Sequence, residues 1–144
     1  MDATPVSSPV DPTTSARRRP VPDVVAGLVN DGSAYSVARA AARQAAHRGG
    51  RVRFLQVAPR NLAEEDLEAF DRATFRSALR GLKGLNRVPC TFEVVVGDPI
   101  DVLVERSEGA ALLVVGRDLP IPEHDVALGC QQRATCDVLT VFGV

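Results

Sequence analysis

The sequence predicts a doubly wound α/β domain, with a five-stranded parallel sheet in the order 3-2-1-4-5 and helices on both faces, as in Rossmann-like folds. Short apolar runs of strand length alternate along the chain with segments whose apolar residues recur at helical spacing. Most of the strand-length runs are almost continuously apolar, as expected of strands buried on both faces. Strict alternation with right-handed crossovers then favours the doubly wound arrangement.

Length and composition limit the chain to one folded domain. We expect that domain to span residues 23–144, because the first 22 residues are rich in Pro, Ser and Arg and are predicted to be disordered. The formal net charge of -1 gives no overall attraction to nucleic acid or to an anionic membrane. No apolar run reaches the roughly 18 to 20 residues that span a bilayer. Three cysteines without a CxxC pair indicate reduced thiols, so a cytoplasmic protein is expected.

The predicted strands are short and apolar. They cover residues 23–29, 51–58, 91–96, 110–115 and 137–142. The predicted helices are marked by caps and by apolar spacing. Ser33 is the predicted N-cap of the first helix and Gly49-Gly50 its C-terminal stop, while Asp98 and Pro99 are the N-cap and first residue of the third. The second and fourth helices are predicted at about 61–85 and 128–134.

Ligands of doubly wound domains collect at the carboxyl ends of the strands, where the strand order reverses. In the order 3-2-1-4-5 this switch point lies between the first and fourth strands, and the residues expected there are Asn30, Asp31, Gly116 and Arg117. Gly116 permits close backbone approach, and Gly129 lies near a helix start whose amides can hold a phosphate. Neither a Walker-type loop nor a GxGxxG motif is present in the sequence.

Several segments together resemble one known family. They are Asp31-Gly32-Ser33, Val96-Gly97-Asp98-Pro99, Leu112-Leu113-Val114-Val115-Gly116, Leu128-Gly129 and Cys136-Asp137-Val138-Leu139-Thr140-Val141. In these segments the chain resembles a universal stress protein domain, over Asp23 to Val144. The nucleotide-binding branch of that family carries G-x2-G-x9-G-[ST], whose positions fall here on Gly116, Leu119, Gly129 and Cys130. The spacing is kept, but the second Gly and the Ser or Thr are lost.

The resemblance implies an adenine-nucleotide site, with ATP as its ligand. The candidate residues are Asn30, Asp31, Val57, Gly97, Gly116, Arg117, Gly129 and Cys130. The losses weaken this site, because Leu119 adds a side chain where backbone would wrap phosphates and a thiol is a weaker donor than a hydroxyl. Glu123 and Asp125 add like charge, which Arg117, Arg133 and His124 oppose.

Two functional hypotheses follow. The first is a non-catalytic, dimeric stress-response protein of the universal stress type, with a regulatory or binding role and with weak or lost nucleotide binding. The alternative is an ATP-binding member that hydrolyses ATP slowly. A third idea is a redox sensor at Cys130, whose thiol pKa a helix N-terminus and Arg117 would lower. Glu123-His124-Asp125 is interpreted as a solvated triplet, so no metal site is expected.

The last predicted strand ends the sheet with an apolar edge. Val138, Leu139, Val141 and Phe142 lie on it. Because unpaired edges invite pairing, self-association through this strand is expected. The family resemblance likewise implies a homodimer joined there.

Overall fold

The fold is described from a computed structural model, which covers residues 21–29, 31–58, 60, 64–85, 87–117 and 125–142. Within these residues, five strands and four helices alternate along the chain. The strands are β1 (Asp23–Leu28), β2 (Arg51–Ala58), β3 (Cys90–Val96), β4 (Leu112–Arg117) and β5 (Asp137–Phe142). The helices are α1 (Asp31–Arg48), α2 (Glu64–Gly81), α3 (Pro99–Arg106) and α4 (Val126–Arg133).

The five strands form one parallel sheet in the order β3-β2-β1-β4-β5, as the sequence predicts. β1 lies at the centre, where Ala26 pairs with Phe54 of β2 on one side and with Val114 of β4 on the other. β3 and β5 are the two edge strands. The switch in strand order therefore lies between β1 and β4, which is the place expected for a ligand crevice.

Alternate residues of the strands belong to two separate hydrophobic cores, one on each face of the sheet. Val24 and Phe54 face the core that α1 and α2 cover, together with the alanines of α1. Val25 and Leu55 face the other core, which includes Leu103 of α3 and Ala127 of α4. Because both faces are buried, the strands need apolar residues at consecutive positions, which explains their continuous apolar runs.

The helix ends follow local capping rules in two places where the sequence predicts them. Asp98 caps α3, since its Oδ1 accepts a hydrogen bond from the amide of Asp101 at 3.1 Å, and Pro99 follows as the first helical residue. At the end of α1, Gly49 adopts a left-handed φ of 66°, which a residue with a side chain would reach only at a cost.

Several predicted bounds are wrong. α1 begins at Asp31, so Ser33 lies inside the helix as a buried residue instead of capping it. α2 ends at Gly81, where the helix backbone lies against that of α1 at Tyr35, although the apolar spacing continues to Leu85. β4 runs two residues further than predicted, because it stays in register with β5 as far as Arg117 and Phe142.

The start of the fourth helix is also displaced. α4 begins at Val126, two residues before the predicted start, because Asp125 supplies the cap. The predicted tail lies almost wholly outside the described residues, as do Asn30, Leu119, Glu123 and His124. Among the helices that are described, none combines the length and the hydrophobicity needed to cross a bilayer.

Candidate functional site

The candidate site is the crevice between β1 and β4 at the carboxyl edge of the sheet. Gly116 and Arg117 close β4 on one side of it, and the first turn of α1 follows β1 on the other. Gly129 and Cys130 belong to α4, which packs beside β4. The structure thus gathers the ends of these elements at one edge, as the strand order requires.

Gly116 is needed for close packing inside the protein. A Cβ at this position would lie 2.5 Å from Cβ and 2.6 Å from Oγ of Ser33, and 3.1 Å from Cγ2 of Val37. Ser33 is itself only 1% exposed. The space that this glycine opens is therefore filled by the first turns of α1.

Gly129 has a similar packing role on another helix. A Cβ there would overlap the side chain of Ile100, whose Cγ1 would lie at 3.0 Å, so the glycine allows α4 to approach α3. Its amide donates to the carbonyl oxygen of Asp125 at 3.0 Å, within the first turn of the helix. The two glycines that keep the family spacing thus both serve helix packing in this structure.

The N-terminus of α4 already holds a carboxylate. Oδ1 of Asp125 accepts a hydrogen bond from the amide of Leu128 at 3.1 Å, and Oδ2 lies 2.6 Å from an Nη atom of Arg117. The side chains of Arg117 and Asp125 are 21% and 11% exposed, so the pair is largely withdrawn from water. A helix N-terminus and an arginine are the groups that usually bind a phosphate, and here both contact a carboxylate of the chain itself.

Arg133, which the sequence offers as a second compensating cation, is also paired. It lies 2.8 Å from Oδ1 of Asp101 in an exposed ion pair between α4 and α3. Both described cations expected to offset the acidic residues of the loop are therefore engaged by carboxylates. His124 and Glu123 lie outside the described residues.

Val57 and Gly97, two further candidate residues, are buried in the protein. Val57 is fully buried in the core beneath α3 and α4. Gly97 follows β3, and its amide donates to the carbonyl oxygen of Ala58 at 3.0 Å, which continues the pairing of β2 with β3 beyond the strand ends. Asp31 is the first residue of α1, and Asn30 is not described.

Cys130 contradicts the expectation of an activated thiol. It is fully buried, and the loss of hydration raises the pKa of its thiol to about 11, although nearby Arg133 favours the thiolate and lowers the pKa. Burial outweighs the charge because a thiolate in an apolar core lacks solvation. The predicted lowering of this pKa is wrong, and Cys130 is a core residue near Cys136.

Sequence reasoning missed three contacts of the crevice: Asp125 with Arg117, Ser33 with Gly116, and Ile100 with Gly129. The first had a local signal, since an Asp followed by Val126-Ala127 is a typical helix start. The other two join residues far apart in the chain, and no local pattern marks them.

Within the part of the chain that the structure describes, no three His, Cys, Asp or Glu side chains cluster as metal ligands would.

Solved structures of universal stress proteins are similar to this chain across most of its length. One, in complex with cAMP, has a TM-score of 0.66 at 24% identity and covers 86% of this chain and 98% of its own. The protein from Archaeoglobus fulgidus has a TM-score of 0.68 at 22% identity, covering 84% of this chain and 93% of its own. Its complex with dAMP has a TM-score of 0.66 at 24% identity, covering 84% and 97%. No protein-family model matches the sequence, and no curated protein is similar enough to count as a match.

Proposed function

We propose, from the universal stress protein fold that this chain has, that it is a non-catalytic regulatory or binding protein of the universal stress type whose nucleotide affinity is weak or lost. The observation that carries this proposal is the Asp125 carboxylate, which caps α4 and pairs with Arg117. A phosphate bound at this helix end would meet that carboxylate as a like charge.

The size of this repulsion supports weak binding. Two like charges about 4 Å apart near a protein surface repel by about 4 kcal/mol, which corresponds to between two and three orders of magnitude in affinity. Moving Asp125 aside would remove the repulsion, but it would also break the ion pair with Arg117 and uncap α4. Binding against the repulsion and displacing Asp125 both cost free energy. A phosphate loop rich in glycine and hydroxyl groups has no such carboxylate and does not incur this cost.

The alternative, an ATP-binding protein with slow hydrolysis, is supported by the retained spacing of Gly116 and Gly129. It is also favoured by the cAMP and dAMP complexes of proteins that share the fold. Both functions concern the same crevice, so one binding experiment separates them.

Calorimetric titration with AMP, cAMP and magnesium ATP tests the proposal. For the wild-type chain we expect no heat below millimolar nucleotide. Asp125→Asn should tighten binding of AMP by about tenfold or more, because Asn still caps a helix but carries no charge. Asp23→Asn is the matched control. It removes the same charge from an ion pair with Arg51 at the amino ends of the strands, opposite the crevice.

The outcomes are distinct. A low-micromolar dissociation constant in the wild-type chain would refute weak binding and establish the alternative. Equal affinities of Asp125→Asn and the wild type for AMP would show that the carboxylate is not what limits binding. A similar gain in Asp23→Asn would assign the effect to net charge alone.

We also propose that the protein acts as a homodimer joined through β5. Val138, Leu139 and Val141 are half-buried within one chain, while Phe142 at the strand end is 54% exposed. Among the described residues, β5 hydrogen-bonds only to β4, so none of them pairs with its other edge. Pairing of two such edges would satisfy their backbone groups and cover the exposed phenylalanine.

A further inference from the structure

A groove between α2 and the edge strand β3 is formed by two cavities that lie in line. The first, about 310 Å³, has Phe92 and Val94 of β3 at its floor and Arg72 and Phe75 of α2 at its wall. The second, about 490 Å³, lies further toward the amino end of β3, at Cys90, and is bounded by Arg76 and Leu79 among others. Val94 lies four residue steps along the strand from Cys90, or roughly 13 Å.

One wall of the groove is basic. Arg72, Arg76 and Arg80 are spaced four apart on α2, so they lie on one side of the helix, and Lys83 follows in the turn after it. These cations are exposed. Between Arg72 and Phe92 the sequence has five basic residues and no acidic one, although the whole chain has a net charge of -1.

Glu93 is the one carboxylate among the described residues that line the groove. It lies beside the first cavity, and its Oε2 is 2.7 Å from an Nη atom of Arg106, which belongs to α3 on the opposite face of the sheet. The Glu93 side chain is therefore turned away from the α2 wall. Apart from Glu93, the described residues that line the two cavities include no acid.

The floor and rim of the groove are apolar and accessible. Leu79 is 45% exposed, Phe75 40% and Val94 50%. Leu82, Leu85 and Val88 extend the apolar surface around the second cavity. Apolar surface of this kind gains most from contact with other apolar side chains.

We propose that this α2–β3 groove binds a short acidic, leucine-bearing segment of a partner protein. Apolar side chains of the segment would fill the two cavities, and its carboxylates would pair with Arg76, Arg80 and Lys83. A nucleic acid would match the charge, but Phe92 stacks on Phe54 and packs edge-on against Phe75, so these rings are engaged with each other, and Leu79 and Val94 offer no ring to a base. A membrane surface would not enter a concave groove. The site is independent of the β1–β4 crevice and lies at the sheet edge opposite β5.

Fluorescence anisotropy with a labelled peptide of glutamate and leucine tests this proposal. We expect saturable binding that weakens with added salt, since exposed charges are screened. A glutamate-and-serine peptide should bind more weakly, for lack of apolar side chains, and a lysine-and-leucine peptide should not bind. Arg76→Glu should weaken binding about fivefold or more, and Leu79→Ser should also weaken it.

Arg43→Glu is the matched control, because it makes the same change of charge on an exposed residue of α1 that lines neither cavity. It should leave the affinity within about twofold of the wild type. Equal losses from Arg76→Glu and Arg43→Glu would overturn the proposal in favour of nonspecific charge attraction. Absence of peptide binding, or tighter binding of single-stranded RNA or phosphatidylglycerol vesicles than of the peptide, would also overturn it. Thermal melting of each variant would verify that it is folded.

Discussion

At the scale of single residues, the main feature of the crevice is that the Asp125 carboxylate contacts the two groups that could bind a phosphate. Asp125 gives a helix N-terminus and an arginine the negative partner that a bound phosphate would otherwise supply. Under the proposed function, the pair lowers the affinity for nucleotide, since the same donors cannot serve both anions at full strength. Asp125 is therefore the residue whose change should have the largest effect on nucleotide binding.

Cys130 gives a residue-scale prediction of low reactivity. With its pKa raised from 9.0 to about 11 by burial, the thiol should be alkylated by iodoacetamide at pH 7.5 far more slowly than exposed Cys90. Mass spectrometry of timed samples measures both rates, and urea-unfolded protein provides the control in which the rates converge. Equal rates in the folded protein would contradict the burial argument.

The same shift has a consequence for stability with a definite sign. The folded-state pKa lies above the ordinary value, so the contribution of the neutral thiol is fully present below pH 9.0 and is lost as the pH rises toward about 11. The alkaline loss of stability should accordingly be smaller in Cys130→Ala than in the wild type.

At the scale of elements, two glycine contacts, one between β4 and α1 and one between α4 and α3, differ in what they can tolerate. Gly116 of β4 faces Cβ and Oγ of Ser33, atoms fixed close to the backbone of α1. Gly129 of α4 faces the Ile100 side chain, whose nearest atom to an added Cβ is the terminal Cδ1, which can rotate away, while Cγ1 and Cγ2 would lie at 3.0 and 3.1 Å. The first contact is therefore rigid and the second adaptable.

Alanine substitution should separate these two contacts. Gly116→Ala should lower the free energy of unfolding by about 1 to 3 kcal/mol, as overpacking does when neighbouring atoms cannot move. Gly129→Ala should be nearly neutral, because the gain in helix propensity of about 1 kcal/mol offsets the displacement of Ile100. Urea denaturation of both variants gives the values, and a larger loss in Gly129→Ala would reverse this assignment.

The elements themselves were largely predictable because their causes are local. The apolar runs of the strands, Asp98 before Pro99, and Gly49 after α1 each carry their information within a few residues. The contacts of the crevice could not be predicted in this way, since Ser33 and Gly116 meet only after β1 and β4 have paired. The cap at Asp125 was missed because the predicted start of α4 was Leu128 and not Val126.

At the scale of the whole molecule, the charges of a nearly neutral chain are unevenly distributed along the sequence. From residue 32 to residue 63 there is no acidic residue, and the same holds from 72 to 92, so α1 after Asp31 and the second half of α2 carry only basic charged residues. The first half of α2 is acidic, with Glu64, Glu65, Asp66, Glu68 and Asp71, and the α3 segment carries Asp98, Asp101, Glu105 and Glu108. A net charge near zero therefore conceals segments of opposite sign.

Oligomeric state is the prediction that belongs to this scale. Analytical ultracentrifugation of the wild-type chain at tens of micromolar should give a mass near twice 15.3 kDa. Phe142→Glu should shift the protein toward monomer, because a carboxylate at an exposed edge position opposes apolar pairing without disturbing either core. Val94→Glu, on the other edge of the sheet, is the control that should remain dimeric. A monomeric wild type would rule out the β5 interface.

The direction in which the chain enters the sheet determines how the protein can be handled in such experiments. Pro22 leads into β1 at the amino edge, where its carbonyl oxygen accepts a hydrogen bond from the amide of Arg51 at 3.0 Å. The crevice lies at the opposite ends of the strands, and β5 ends with Phe142 on that side. A tether joined directly before Val21 would thus hold the domain at the end remote from the crevice, whereas a fusion made directly after Phe142 would place foreign mass beside both the crevice and the β5 edge.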